Sequence, residues 1–147
     1  MIRIVAAVTA LALGATLAYA QNLDVIKKRQ ETMKAVGGAA GAGGKMMKGE
    51  APFDLAVAQK SLATYADNAI AMKDLFPDDS KTGGDTTVLP KIWEAKADFN
   101  GRFDKFAADA KAAAAAVKDE ASFKAEWPKV MGNCGGCHKE FRTPPKS

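Results

Sequence analysis

At 147 residues the chain suits a single domain, and its 48% hydrophobic content is spread without long apolar blocks beyond the first twenty positions. Alanine and lysine are abundant and β-branched residues few, a composition that predicts an all-α fold. The formal charge of +4 is mild and lysines alternate with acids, which excludes a surface that tracks a nucleic-acid backbone.

Residues 1–20 read as a signal peptide. Arg3 gives a thin positive start, residues 4–17 are apolar apart from Thr9, Gly14 and Thr16, and Ala18-Tyr19-Ala20 is a cleavable small-x-small pattern. A membrane anchor competes, but the apolar run is short for a span and Gln21-Asn22 follows at once. The mature protein is then expected to be residues 21–147, with no other segment able to cross a membrane.

The first helix is predicted over about Leu23 to Lys48, with Ile26, Arg29, Met33, Val36 and Ala40 at helical spacing. Gly37-Gly38 and the glycines of residues 41–44 weaken its second half; they mark either a frayed or kinked helix or a close approach to something bulky. Asp54 is the expected N-cap of a second helix. Along it Leu55, Ala58, Leu62, Tyr65, Ala69, Met72 and Phe76 form a heptad seam, which Pro77 ends. Residues 77–89 form the longest loop and the one expected to move. Pro90 opens a third helix, read as continuous through Asn100-Gly101, whose buried face carries Ile92, Ala95, Phe99, Phe103, Phe106, Ala110, Ala113 and Val117. A fourth starts near Asp119 and aligns Phe123, Trp127, Val130, Cys134, Cys137 and Phe141; Pro128 either kinks it or marks its true start. Four amphipathic helices with mostly short connections predict an antiparallel four-helix bundle, whose core is a place for a cofactor.

The two cysteines stand in Cys134-Gly135-Gly136-Cys137-His138, the Cys-x-x-Cys-His pattern of c-type haem attachment. On a helix, positions i and i+3 share a face, so both thiols reach the vinyl edge of one porphyrin while His138 turns its imidazole to the iron. A disulfide at this spacing would close too short a loop to restrict the unfolded chain much. Structural zinc wants four ligands, and the chain has two cysteines and one histidine. A thioredoxin-like dithiol expects a preceding strand, and none is visible. The expected cofactor is one covalent haem c.

With one histidine in the chain, the sixth iron position falls to methionine, lysine, a diffusible ligand or nothing. Met33, Met46, Met47, Met72 and Met131 are available; Met131 shares the helix of His138 and is poorly placed to cross the ring. Met33 lies one turn from Arg29, and methionine at helical spacing also serves a core. An inward Arg29 suits a haem propionate; its alternatives are snorkelling to solvent or pairing with a carboxylate.

The terminal position of the motif, Arg29-x-x-x-Met33 on the first helix and Cys134-x-x-Cys137-His138-x-x-Phe141-Arg142 on the last together resemble the cytochrome c-prime family, the class II cytochromes c. The resemblance implies a periplasmic four-helix bundle, often a homodimer, with Met33 over the distal haem face and Arg142 near the proximal histidine. It also implies one of two behaviours. A low-spin member ligated by Met33 carries single electrons to a redox partner protein. A high-spin five-coordinate member binds nitric oxide or carbon monoxide. An enzyme is not expected, since a peroxidase-like site wants a distal acid–base group and the only histidine is committed.

Overall fold

The computed structural model describes the backbone of residues 2–144 and the side chains of residues 23–144. The expected signal peptide, residues 1–20, lies outside the described side chains. The helices are α1 (Ile2–Met47), α2 (Leu55–Met72), α3 (Lys91–Glu94), α4 (Lys96–Ala116) and α5 (Glu120–Phe141). Helix α3 is a single turn leading into α4, so the architecture is the predicted antiparallel four-helix bundle. Among the described residues, no helix is long and apolar enough to cross a membrane.

Local chemistry accounts for several helix ends. Asp54 caps α2 by accepting the Ala56 and Val57 amides at 2.8 and 3.1 Å. Asp119 and Ser122 form a reciprocal capping box at the start of α5. Pro77 bars Phe76 from the helical region, and Phe76 sits at φ −129°, ψ 57°. The helix itself stops earlier than the seam predicted: α2 ends at Met72 and a 3₁₀ turn, Lys73–Leu75, carries the chain on.

The heptad seam is buried from Ala58 through Phe76, but its first member, Leu55, is 40% exposed. The third predicted helix is broken in two. Ala95 leaves the helical region (φ −120°, ψ 45°) between α3 and α4. Side chains on either side of the break are anchored to the end of the α2 segment: Trp93 Nε1 donates to the Pro77 carbonyl at 3.1 Å and Lys96 Nζ to the Phe76 carbonyl at 2.7 Å. Asn100-Gly101 stays helical, as the stripe predicted.

Pro128 lies inside α5 and does not mark its start. An interior proline costs roughly 3 kcal/mol. Phe123, Trp127 and Val130, all fully or nearly buried around it, offset that cost, each contributing about 1.5–3 kcal/mol of burial.

Two aromatic clusters divide the core. Phe53, Phe123, Trp127, Tyr65 and Phe106 form a chain with ring centroids 5.1–5.5 Å apart. Phe76, Phe99, Phe103 and Phe141 form the other at 4.7–5.1 Å.

The glycine-rich half of α1 is an unbroken helix, and one of its glycines is a close approach. A Cβ on Gly43 would fall 2.0 Å from the Trp127 ring, whereas Gly37, Gly38, Gly41 and Gly44 have open space. Helix α1 packs on α2, α2 on α4 and α4 on α5, while α1 and α5 make few contacts, the approach of Gly43 to Trp127 among them. Gly43→Ala is therefore expected to destabilise the protein by about 1–3 kcal/mol in urea unfolding. Gly41→Ala should instead stabilise it by about 0.5–1 kcal/mol. Equal stability of the two variants would remove the close-approach explanation.

Candidate functional site

The seam between α1 and α5 opens into a cavity of about 550 Å³, walled by α2 and α4 and within the range of cofactor pockets. All six residues singled out in the sequence line it: Arg29 and Met33 from α1, Cys134, Cys137 and His138 from α5, and Arg142 just beyond. The spacing explains the grouping on α5. Positions 134, 137 and 138 lie one turn apart on the face that carries buried Val130 and Phe141.

The walls are mainly apolar, with Ile26, Val36, Met72, Phe99, Phe103 and Phe106 among them. No described lining residue is acidic, whereas Arg29, Lys34, Arg102 and Arg142 are cationic. Burial pushes both cysteine thiols up; for Cys137 the Arg102 cation partly opposes that. Burial, then the Arg142 cation, pushes the His138 imidazole down, so it stays neutral and free to ligate a metal. Two thiols, a neutral imidazole, apolar walls and a surplus of cations fit a flat, largely apolar, dianionic metalloporphyrin.

Arg29 neither snorkels nor pairs with a carboxylate. It is 4% exposed, and four of its N–H bonds are taken by the Leu75 carbonyl (3.4 Å), Ser80 Oγ (3.1 Å), the Ser80 carbonyl (3.1 Å) and Thr86 Oγ1 (3.2 Å). Phe76 stacks against the guanidinium at 4.7 Å. Of the five donors an arginine has, only Nε–H is left without a partner among the described residues.

The methionines separate clearly. Met46 is buried in the α1–α2 corner, where its sulfur accepts the Asp54 amide at 3.3 Å, and Met47 packs against the core. Met33, Met72 and Met131 line the cavity. Met131 receives the Tyr65 hydroxyl at 3.5 Å. Sequence reasoning gave Met72 to the seam of α2 and did not single it out as a site residue.

It also missed Arg102. That side chain reaches Asp98 one turn back, donates Nη1 to the Gly136 carbonyl between the two cysteines at 2.9 Å, and stacks on Phe141 at 5.2 Å. In the sequence it reads as half of an exposed i,i+4 pair with Asp98, and nothing local signals the reach across to α5.

Comparison with known proteins gives concordant results. A family profile described as cytochrome c′ matches residues 24–142. Cytochrome c′ of Rhodopseudomonas palustris is 53% identical over 131 residues, covering 89% of each chain. Cytochrome c-556 of Agrobacterium tumefaciens is 41% identical over 111 residues, 75% of this chain and 87% of that one. The solved structure of the R. palustris cytochrome c′ superposes with a TM-score of 0.82 at 53% identity, covering 84% of this chain and 98% of its own.

The raised thiols yield a direct test on polypeptide made without haem attachment, under conditions where circular dichroism finds it helical. Alkylation of Cys134 and Cys137 by iodoacetamide at pH 8 is expected to be several-fold slower than that of free cysteine, because less thiolate is present. Unfolding in urea should abolish the difference. Free-cysteine rates in the folded chain would contradict the buried placement.

Proposed function

The chain belongs to the cytochrome c′ family, and from that premise we propose that it is a periplasmic one-electron carrier with His138 and Met33 as the axial ligands of its haem. It is a monohaem c-type cytochrome, and its haem c is covalent. When bound, the iron supplies the one-electron redox chemistry. The protein's part is to hold, orient and shield the group. Cys134 and Cys137 would each add a thiol across a vinyl group to form a thioether, His138 would give its neutral imidazole as proximal ligand, and Met33 would complete the coordination from α1. The single observation behind the assignment is that these four residues line one cavity although 101 positions separate Met33 from Cys134. Methionine ligation raises the potential and leaves little to rearrange on electron transfer. The absence of a second histidine argues against turnover that needs a distal acid–base group. We assign residues 1–20 as the cleaved export signal that delivers the chain to its haem-attachment compartment.

One observation favours a second reading. The relative named cytochrome c′ is more similar, at 53%, than the cytochrome c-556 above, at 41%. In a high-spin reading Met33 crowds an open iron position, and the apolar walls formed by Val36, Ala69 and Met72 admit nitric oxide or carbon monoxide.

Two measurements test these assignments on protein matured in cells competent for haem attachment. Mass spectrometry after denaturation should find one haem's mass on the wild type and none on the Cys134→Ala/Cys137→Ala variant. Absorption spectra should show sharp low-spin bands that Met33→Ala abolishes and Met72→Ala preserves. Loss of those bands only in Met72→Ala would transfer the distal role to α2. A broad high-spin wild-type spectrum that shifts with carbon monoxide would establish the gas-binding reading.

A further inference from the structure

We propose that residues 77–89 form a strap that fixes the separation of α1 and α5 across the cavity, with Arg29 as its positioning residue, and so control access to the distal iron position. The inference rests on the haem assignment above and extends it to residues that need not touch the group.

The two helices that bear the axial ligands make few contacts, and the close one, Gly43 on Trp127, lies ten residues along α1 from Met33 and eleven along α5 from His138. The strap joins them at one end of the cavity. On the α1 side Arg29 makes three hydrogen bonds to Ser80 and Thr86 of the strap and one to Leu75 just before it, and Gln30 Nε2 donates to the Asp85 carbonyl at 3.1 Å. On the α5 side the Leu89 amide donates to the Phe141 carbonyl at 3.0 Å and the Thr143 amide to the Thr87 carbonyl at 2.8 Å. Between them Val88 pairs with Arg142 in an isolated antiparallel bridge.

Both attachments lie within one helical turn of a ligand. Arg29 precedes Met33 by four residues, and Phe141 follows His138 by three. A displacement of the strap is therefore transmitted to both helices close to the iron. The strap also has a rigid foot. Ser80 is 0% exposed, and its hydroxyl donates to the Pro77 carbonyl at 2.9 Å while accepting from Arg29. Its inner residues Thr86, Thr87 and Val88 form part of the cavity wall. A buried cation whose hydrogen-bond partners are withdrawn is strongly disfavoured, so Arg29 holds the strap down wherever α1 goes.

The test uses the haem-loaded protein and two ways of loosening the strap: Arg29→Gln, and Ser80→Ala/Thr86→Val, which keeps the guanidinium and removes two of its acceptors. Hydrogen exchange of the Leu89 and Thr143 amides should accelerate about tenfold in both, the effect of losing a bond to a charged group. Carbon monoxide association should quicken by a similar factor in both, whether Met33 ligates the iron or only crowds it. Gln30→Ala, at the exposed contact, should move both readouts the same way by less, and serves if the buried variants fail to fold. Faster exchange with unchanged carbon monoxide kinetics would overturn the control of the distal position. A kinetic effect of Arg29→Gln that Ser80→Ala/Thr86→Val and Gln30→Ala do not share would also overturn it, and would assign Arg29 to direct contact with a propionate. Loss of the haem reading itself would be seen separately, as wild-type protein without denaturation-stable haem mass.

Discussion

A helix bundle is stable when each apolar stripe is buried against its neighbours, and three of the four seams here obey that rule. At the fourth, α1 and α5 face each other across about 550 Å³ of apolar-lined space. Left to itself, a sealed cavity of that size would cost on the order of 10 kcal/mol, comparable with the whole stability of a small domain. Access of water at its mouth lowers the figure without removing it. The haem is accordingly a structural member of the core as well as the redox group, and its covalent attachment makes that contribution permanent.

The chemistry of the lining follows from the same geometry. Burial in a low-dielectric space keeps the thiols protonated and the imidazole neutral. The charges admitted to the wall are all positive: Arg29, Lys34, Arg102 and Arg142. Positive charge near a haem offsets its carboxylates and favours the reduced iron over the oxidised. Arg102 adds a mechanical role, since its bond to the Gly136 carbonyl and its stack on Phe141 bracket the turn that carries His138.

How much was legible in the sequence depended on how local the cause was. The Asp54 cap, the Asp119 start and most of the four stripes are encoded within a few residues of each other, and the structure agrees with them. The six residues named for the site do meet in one cavity. Whatever depends on contacts between distant segments was hidden. The loop of residues 77–89 looked mobile because it is polar and glycine-containing, and nothing local announces that a guanidinium 51 residues upstream of Ser80 binds it. Arg29 reads in the sequence as facing a haem propionate, with a protein carboxylate or solvent as the alternatives; that it binds the carbonyls and hydroxyls of a distant segment is not visible there. The break at Ala95 left no mark on the hydrophobic pattern, which runs through it in register. The crowding of glycines in α1 carried no direction until Trp127 was seen lying on Gly43.

The position of the attachment turn on α5 has a consequence for biogenesis. Both thiols are partly buried in the closed bundle, so the maturation machinery reaches them more readily while α5 is undocked. The backbone pairing of Thr87 with Thr143, which ties the end of α5 to the loop before α3, belongs to the closed state. Docking of the last helix and ligation of the cofactor thus compete for the same pair of sulfurs.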